Sequence, residues 1–386
     1  MRIAQIAPMT YTPGKLEYFS FIRGGAGSDF HQNPVFHVFP NGDLMIRWGA
    51  YDFNECSRNA ISLYSVSRDR GQTWSPPNVY MADYPGGTLR TSLLQLRGTD
   101  RALMFVTQTL MDEIKVDDVR RVTTSGSNYF KSRTRFFLRQ SVDGGRSFDH
   151  GEELPYRMIT GGQDLPGVGC YGACEAAVQL QNGRIVAAFM YLEPDRTESG
   201  VPRPLPQHYE VACLLSDDEG RTWTRSAAIT VGTPRGVMEP QIVETAPDRL
   251  FCLFRTKGGF LYQTVSHDGG ETWSESTPTV LPAPESIAQM VRLQSGKLLV
   301  VWNNVSSITQ HPRHPLAAAV SADGGGTWST PRILADETGI NQLSNHGMVQ
   351  LDDGRILVGI SHYHATRPMS SDLDMAIFDE EWLLRD

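Results

Sequence analysis

The sequence predicts an all-β chain, folded as a six-bladed β-propeller in a single domain over residues 1–386, and three observations carry that expectation. Alternating apolar and polar residues fill the chain, and no long helical period competes with them. An eight-residue phrase, S-x-D-x-G-x-T-W, starts at Ser67, Ser141, Ser216, Ser266 and Ser321; the second copy ends in Ser147 and Phe148. Apolar strand–turn–strand segments recur beside these phrases, giving units of about 40–50 residues, the spacing of radially repeated four-stranded blades.

The elements follow in order. In the first unit residues 34–39 form a strand, Pro40-Asn41-Gly42-Asp43 a turn, and residues 44–48 a second strand. A loop bearing Asp52, Glu55 and Arg58 precedes the strand 60–66 and the first octad. Asn182-Gly183, Ser295-Gly296 and Asp353-Gly354 mark the same inner turn in later units. The octad itself suits a tight hairpin. Its Asp accepts from turn N–H groups, its Gly supplies a positive φ, and its aromatic anchors the turn on the sheet. Octad starts are 74, 75, 50 and 55 residues apart, so the second and third units carry insertions, placed at 111–135 and 193–208. The sixth unit begins at Met348 and lacks an octad; residues 2–6 are expected to supply its outer strand and close the ring.

Composition narrows the partners. A net charge of −8 argues against a nucleic-acid surface. Five cysteines without a C-x-x-C spacing read as buried thiols, not as a disulfide framework or zinc site. The first residues lack the apolar core of a signal peptide, and no apolar run reaches a membrane span; a cytoplasmic setting is expected. No cofactor motif is present, and oligomeric state is open.

In a propeller, residues opening the innermost strands converge on the axis. Those positions hold His31, Arg90, Glu175, Glu239, Glu285 and His346, with Asn33, Gln289 and Asn345 nearby. Glu175 and Glu239 stand on neighbouring units, and two carboxylates facing one pocket are what glycoside hydrolysis requires. Arg90, Arg255 and Arg313, with Arg47 and Arg58, are candidate clamps for an anionic substrate group. Asp52 overhangs the same region on its loop. His362 and His364 face one side of a strand, but without an accompanying carboxylate or cysteine spacing no metal is expected. Trp48, Trp302 and Tyr363 end second strands, as core residues or as stacking platforms for a sugar.

The octads resemble the Asp-box, or BNR, repeats of the sialidase superfamily across nearly the whole chain. The phrases His31-Gln-Asn-Pro, Glu239-Pro-Gln-Ile-Val-Glu with Arg255, Trp302-Asn-Asn with Arg313-His-Pro-Leu, and His346-Gly-Met-Val-Gln-Leu sharpen the resemblance. It implies a six-bladed propeller and an exo-acting glycosidase on an oligosaccharide or glycoside, with anionic groups admitted. Sialidases carry an arginine in an R-I-P phrase where this chain has Gln32-Asn33-Pro34, and a tyrosine nucleophile where it has Asn345-His346. Six-bladed exo-arabinanases instead use two glutamates on blades like those of Glu175 and Glu239. The expectation is therefore a hydrolase other than a true sialidase, with His346 assisting and His31 and Glu285 in the pocket. A polysaccharide lyase using His31 or His346, and a non-catalytic carbohydrate-binding propeller, are the alternatives.

Overall fold

The computed structural model describes residues 9, 11–24, 30–51, 61–82, 87–111, 132–162, 171–192, 208–365 and 370–385. After β1 (Glu17–Ile22) the chain forms β2 (Phe30–Val38), β3 (Leu44–Tyr51), β4 (Ile61–Ser67) and β5 (Asn78–Ala82). Next come β6 (Gly87–Gln95), β7 (Ala102–Met111), β8 (Ser132–Ser141), β9 (Glu152–Leu154) and the short α1 (Tyr156–Thr160). The quartet β10 (Tyr171–Gln179), β11 (Ile185–Leu192), β12 (Glu210–Ser216) and β13 (Thr224–Arg225) follows. After it stand β14 (Met238–Ala246), β15 (Arg249–Arg255), β16 (Phe260–Ser266) and β17 (Thr277–Pro282). The chain ends with β18 (Gln289–Arg292), β19 (Leu298–Asn303), β20 (Leu316–Ser321), β21 (Arg332–Ala335), β22 (Gln342–Gln350), β23 (Ile356–His364), β24 (Ser370–Phe378) and α2 (Glu380–Leu384). The protein is all-β, as the alternation predicts.

Two compact units divide the chain, Met1–Asp83 with Val280–Asp386, and Tyr84–Thr279. In the first, β2 to β5 and β22 to β24 join one sheet through a single parallel pairing, Phe30 with Ser371, while β18 to β21 form a separate four-stranded sheet. Residues 2–6, expected to complete the last sheet, lie outside the described residues. That place is taken by β1, antiparallel to β24 from Glu17–Ile377 to Ile22–Leu373. The second unit holds three four-stranded sheets, each in chain order. Of the insertions expected at 111–135 and 193–208, residues 112–131 and 193–207 lie outside the described residues, while residue 111 ends β7 and residues 132–135 open β8, so the first is shorter than expected.

Second strands run through the core: every residue of β11 and β19 is buried, so they read as continuous apolar runs. Their hairpins share one geometry. Phe39 N–H donates to Asp43 O, Leu180 to Arg184, Leu293 to Lys297 and Leu351 to Arg355, with glycine at positive φ inside each turn.

All five octads are turns between third and fourth strands, and each closes the same circuit. The serine hydroxyl donates to the Asp carboxylate and accepts the glycine N–H, as Ser216 does with Asp218 (2.8 Å) and Gly220 (2.8 Å). The threonine donates twice to the same Asp, Thr222 through its N–H (2.8 Å) and its hydroxyl (2.7 Å). Trp74 and Trp223 donate from the indole to Gly71 and Gly220 and pack edge-on to Phe21 and Phe105. Donors to the ionised form hold the Asp218 and Asp323 carboxyls down to about 2, the threonine N–H being the largest cause in each. Among the described residues no helix is long and apolar enough to cross a membrane.

Candidate functional site

The second unit positions its carboxylates with β-bulges. On β14 the pairing steps from Met238–Arg255 to Gln241–Leu253, and Glu239 sits in the slip with φ of 49°. On β10 the register shifts between Cys174 and Ala176, leaving Glu175 in the slip. A bulge leaves one residue unpaired and re-aims its side chain. The strands β10 and β14 pack together inside this unit, so the expected glutamate pair stands on neighbouring strands.

The local sequence explains the placement. Thr233-Pro-Arg-Gly makes a turn in which Gly236 N–H reaches Thr233 O (3.0 Å), and Arg235 N–Cα adopts a positive φ of 67°. Tyr209 N–H donates to Arg235 O and Val237 N–H to Tyr209 O, both at 2.9 Å, pinning the chain just before Glu239. Pro240 shares the slip with Glu239, where its missing N–H costs no ladder bond.

Arg255 closes the site from the facing strand. Its Nη1 donates to Glu239 Oε2 at 2.9 Å, and the side chains are only 9% and 12% exposed. An adjoining guanidinium favours the ionised carboxylate. Beside Glu175, burial first and the glutamate charge second push the Cys174 thiol well up, so it stays a thiol. Cys174, Cys213 and Cys252 are free and buried, as expected.

In the first unit the expected pocket histidines turn inward. His31 is buried, its Nδ1 accepts from Trp48 Nε1 (3.1 Å), and burial lowers its pKa to about 4 against the opposing charge of Asp372. His346 is also buried and bonds Val301 O through Nε2 at 2.8 Å. Each contact ties one ring nitrogen of a buried histidine to a neighbouring strand. Glu285 is fully buried; its N–H donates to Thr309 O, and its carbonyl accepts from Arg313. Arg313 also donates to Gln310 O (3.1 Å) and Ser344 Oγ (3.4 Å). Arg47 is buried over Tyr80, and Trp48 and Trp302 are core residues, not sugar platforms. Arg90 lies on β6 without a described side chain, and Asp52, Glu55 and Arg58 fall outside the described residues.

Two features were missed at their true positions. Bulges on β2, between Gln32 and Val35, and on β22, between Ser344 and Gly347, carry Asn33 and Asn345 at φ of 57° and 45°. These asparagines, not His31 and His346, occupy the positions that match the glutamates. The second feature is a network around His362 and His364, whose rings lie 4.2 Å apart. Asp374 Oδ2 accepts from Tyr18 (2.7 Å) and meets His362 Nδ1 (2.7 Å), while Glu337 Oε1 lies 2.8 Å from His362 Nε2. His364 Nε2 meets Asp372 Oδ2 at 2.9 Å. The alternation Asp372-Leu-Asp374 opposite His362-Tyr-His364 on the paired strand was the available signal. Among the described residues no group of three or more such side chains is arranged to hold a metal.

Repeated antiparallel quartets, octad turns and a bulge-borne glutamate–arginine pair define a sialidase-like BNR-repeat protein. The chain belongs to the BNR repeat-like domain family, whose model matches residues 118–358. It is similar to a sialidase of Micromonospora viridifaciens, 22% identical over 354 residues that cover 86% of this chain and 50% of that one. A sialidase of Bacteroides fragilis is 28% identical over 162 residues, 40% of this chain and 29% of its own. The chain thus spans half or less of these curated relatives. Among solved structures, NanB sialidase of Streptococcus pneumoniae superposes with a TM-score of 0.67 at 13% identity, covering 94% of this chain and 71% of that one. A Dyadobacter fermentans protein of unknown function gives 0.70 at 21% identity, covering 95% and 100%. The fold is that of the sialidase-like proteins.

Proposed function

We propose that the protein is an exo-acting glycoside hydrolase, other than a true sialidase, working on an oligosaccharide or glycoside with Glu175 and Glu239. The observation that carries this reading is the Glu239–Arg255 pair in a bulge on the strand beside the bulge of Glu175. The guanidinium of Arg255 beside Glu239 favours a carboxylate there, which suits attack on the anomeric carbon or on a water aimed at it. Glu175 then protonates the glycosidic oxygen as the bond to the leaving group breaks. Arg255 positions the catalytic carboxylate through Nη1, and its other N–H groups are the proposed donors to an anionic or hydroxyl group of the substrate. The proposed frame is the six-bladed propeller in one domain, closed by β1, and similarity to sialidase folds supports it.

The test uses a panel of aryl glycosides that includes a sialic acid ketoside. Glu175→Gln and Glu239→Gln should each lower turnover by about 10²–10⁴-fold with the fold intact. Retention of full activity by both variants would end the two-carboxylate reading. An unsaturated product absorbing in the ultraviolet would replace hydrolysis by elimination.

A further inference from the structure

We propose that Asn33 and Asn345 form a subsite in the Met1–Asp83 and Val280–Asp386 unit for an uncharged, hydroxyl- or acetamide-bearing part of a glycan. The class of ligand rests on the glycoside reading; the geometry of the subsite does not.

The backbones of the two residues are tied to one side chain. Ser361 is buried on β23, and its hydroxyl accepts the Asn33 N–H (3.0 Å) while donating to Asn345 O (3.0 Å). Strands β2 and β22 approach so closely that a Cβ on Gly347 would stand 2.0 Å from Pro34 O. A Cβ on Gly359 would lie 2.9 Å from Pro34 Cβ. Both side chains are half-buried, and neither amide has a hydrogen-bond partner among the described residues.

The chemistry follows from the inventory. Each amide brings two donors and a carbonyl acceptor, and neither brings charge. A pair of adjoining hydroxyls, or a hydroxyl beside an acetamide, both gives and takes hydrogen bonds and so matches this set. A carboxylate only accepts, so it would use the amide N–H groups and leave both amide carbonyls without a donor. The same bulge that presents carboxylates on β10 and β14 therefore presents a neutral recognition pair here.

Asparagine also tolerates positive φ better than most residues, so backbone demand alone would select it. Glycine separates the two explanations, because it keeps the backbone and removes the amide. Binding of methyl glycosides of galactose, glucose, arabinose and N-acetylglucosamine should be measured by nuclear magnetic resonance titration. N-acetylneuraminic acid and glucuronic acid serve as the charged probes. The wild type should bind at least one neutral probe more tightly than either charged one. Asn33→Gly and Asn345→Gly should each weaken that binding by about tenfold, one lost neutral hydrogen bond, with thermal stability retained. Preference for a charged probe, unchanged binding in both variants, or no binding by any probe would each overturn the subsite. Repeating the titration with Glu239→Gln separates the two proposals. Neutral binding kept in Glu239→Gln shows the subsite to stand apart from the catalytic carboxylate, whereas neutral binding by a wild-type protein that turns over no glycoside would leave the subsite standing and remove the hydrolase reading.

Discussion

Strands β10 and β14 in one unit and β2 and β22 in the other use one backbone device for different chemistry. Each pair packs side by side, and each strand slips its register by a bulge. On β10 and β14 the slipped residues are Glu175 and Glu239, the second held by a buried arginine; on β2 and β22 they are Asn33 and Asn345, tied by one serine hydroxyl. Three of the four are non-glycine residues at positive φ, a costly conformation that persists where the surroundings over-determine it. The bulge thus presents a side chain, and the residue type alone decides whether the position is charged or neutral.

The largest expected effect lies on the charged side. Arg255→Met takes the guanidinium away from the buried Glu239 carboxylate, so stability should fall by about 3 kcal/mol. The acid limb of the pH–rate profile should also move to higher pH, because Glu239 loses the charge that favours its ionised form. Urea unfolding and a pH–rate series check both; an unmoved acid limb would show that Arg255 does not set the state of Glu239. On the neutral side the expected cost is steric. Gly347→Ala drives a methyl into Pro34 O, and a loss of about 3 kcal/mol is expected. The same change at Gly183, at positive φ with nothing within 4 Å, should cost only about 1 kcal/mol, the price of backbone strain. Equal losses at the two sites would deny the close approach of β2 and β22.

Smaller still is the asparagine backbone term. Asn33→Ala and Asn345→Ala should each lower stability by about 1 kcal/mol relative to the glycine variants, readable as a shift in denaturant midpoint.

The smallest effect belongs to the histidine network beside the neutral pair. Burial alone would lower the His362 pKa, but the Asp374 hydrogen bond, then the charges of Asp374 and Glu337, outweigh it and raise the value. With carboxylates at both ring nitrogens the imidazolium is the form that fits, since a neutral ring would turn a lone pair toward one of them. A raised folded value means the stabilisation is fully present below the ordinary histidine range and is lost as pH rises through the folded pKa. Tyr18, Asp372, His364, Glu337 and Asp374 face this group, and His362→Gln should flatten that part of the stability–pH curve. An unchanged curve would show His362 to be neutral when folded.

Much of the fold was legible because its signals are local. Inner turns, octads and alternation each need only a few consecutive residues, and they located every four-stranded unit. The pairing of β1 with β24 was not legible, because short apolar runs near a terminus look alike. The glutamates were legible because counting from the octads landed on the bulged residues themselves. The histidines were not, for the same physical reason. A bulge adds one residue to a strand and reverses which face later side chains meet. His346 follows the bulge residue Asn345 directly and so points into the core.

The amino-acid order by itself determined the all-β repeat, the octad turns, the free buried thiols and the pair of glutamates. Only the tertiary structure decided that Arg255 serves Glu239, that His31 and His346 are packing residues, that Asn33 meets Asn345 through Ser361, and that His362 lies between Asp374 and Glu337. Asn33 with Ser361 and His346 with Val301 meet from strands distant in the chain, while Arg255 with Glu239, His31 with Trp48 and His362 with Asp374 meet across neighbouring strands; in both cases the register is set by pairing and packing, which no local pattern records.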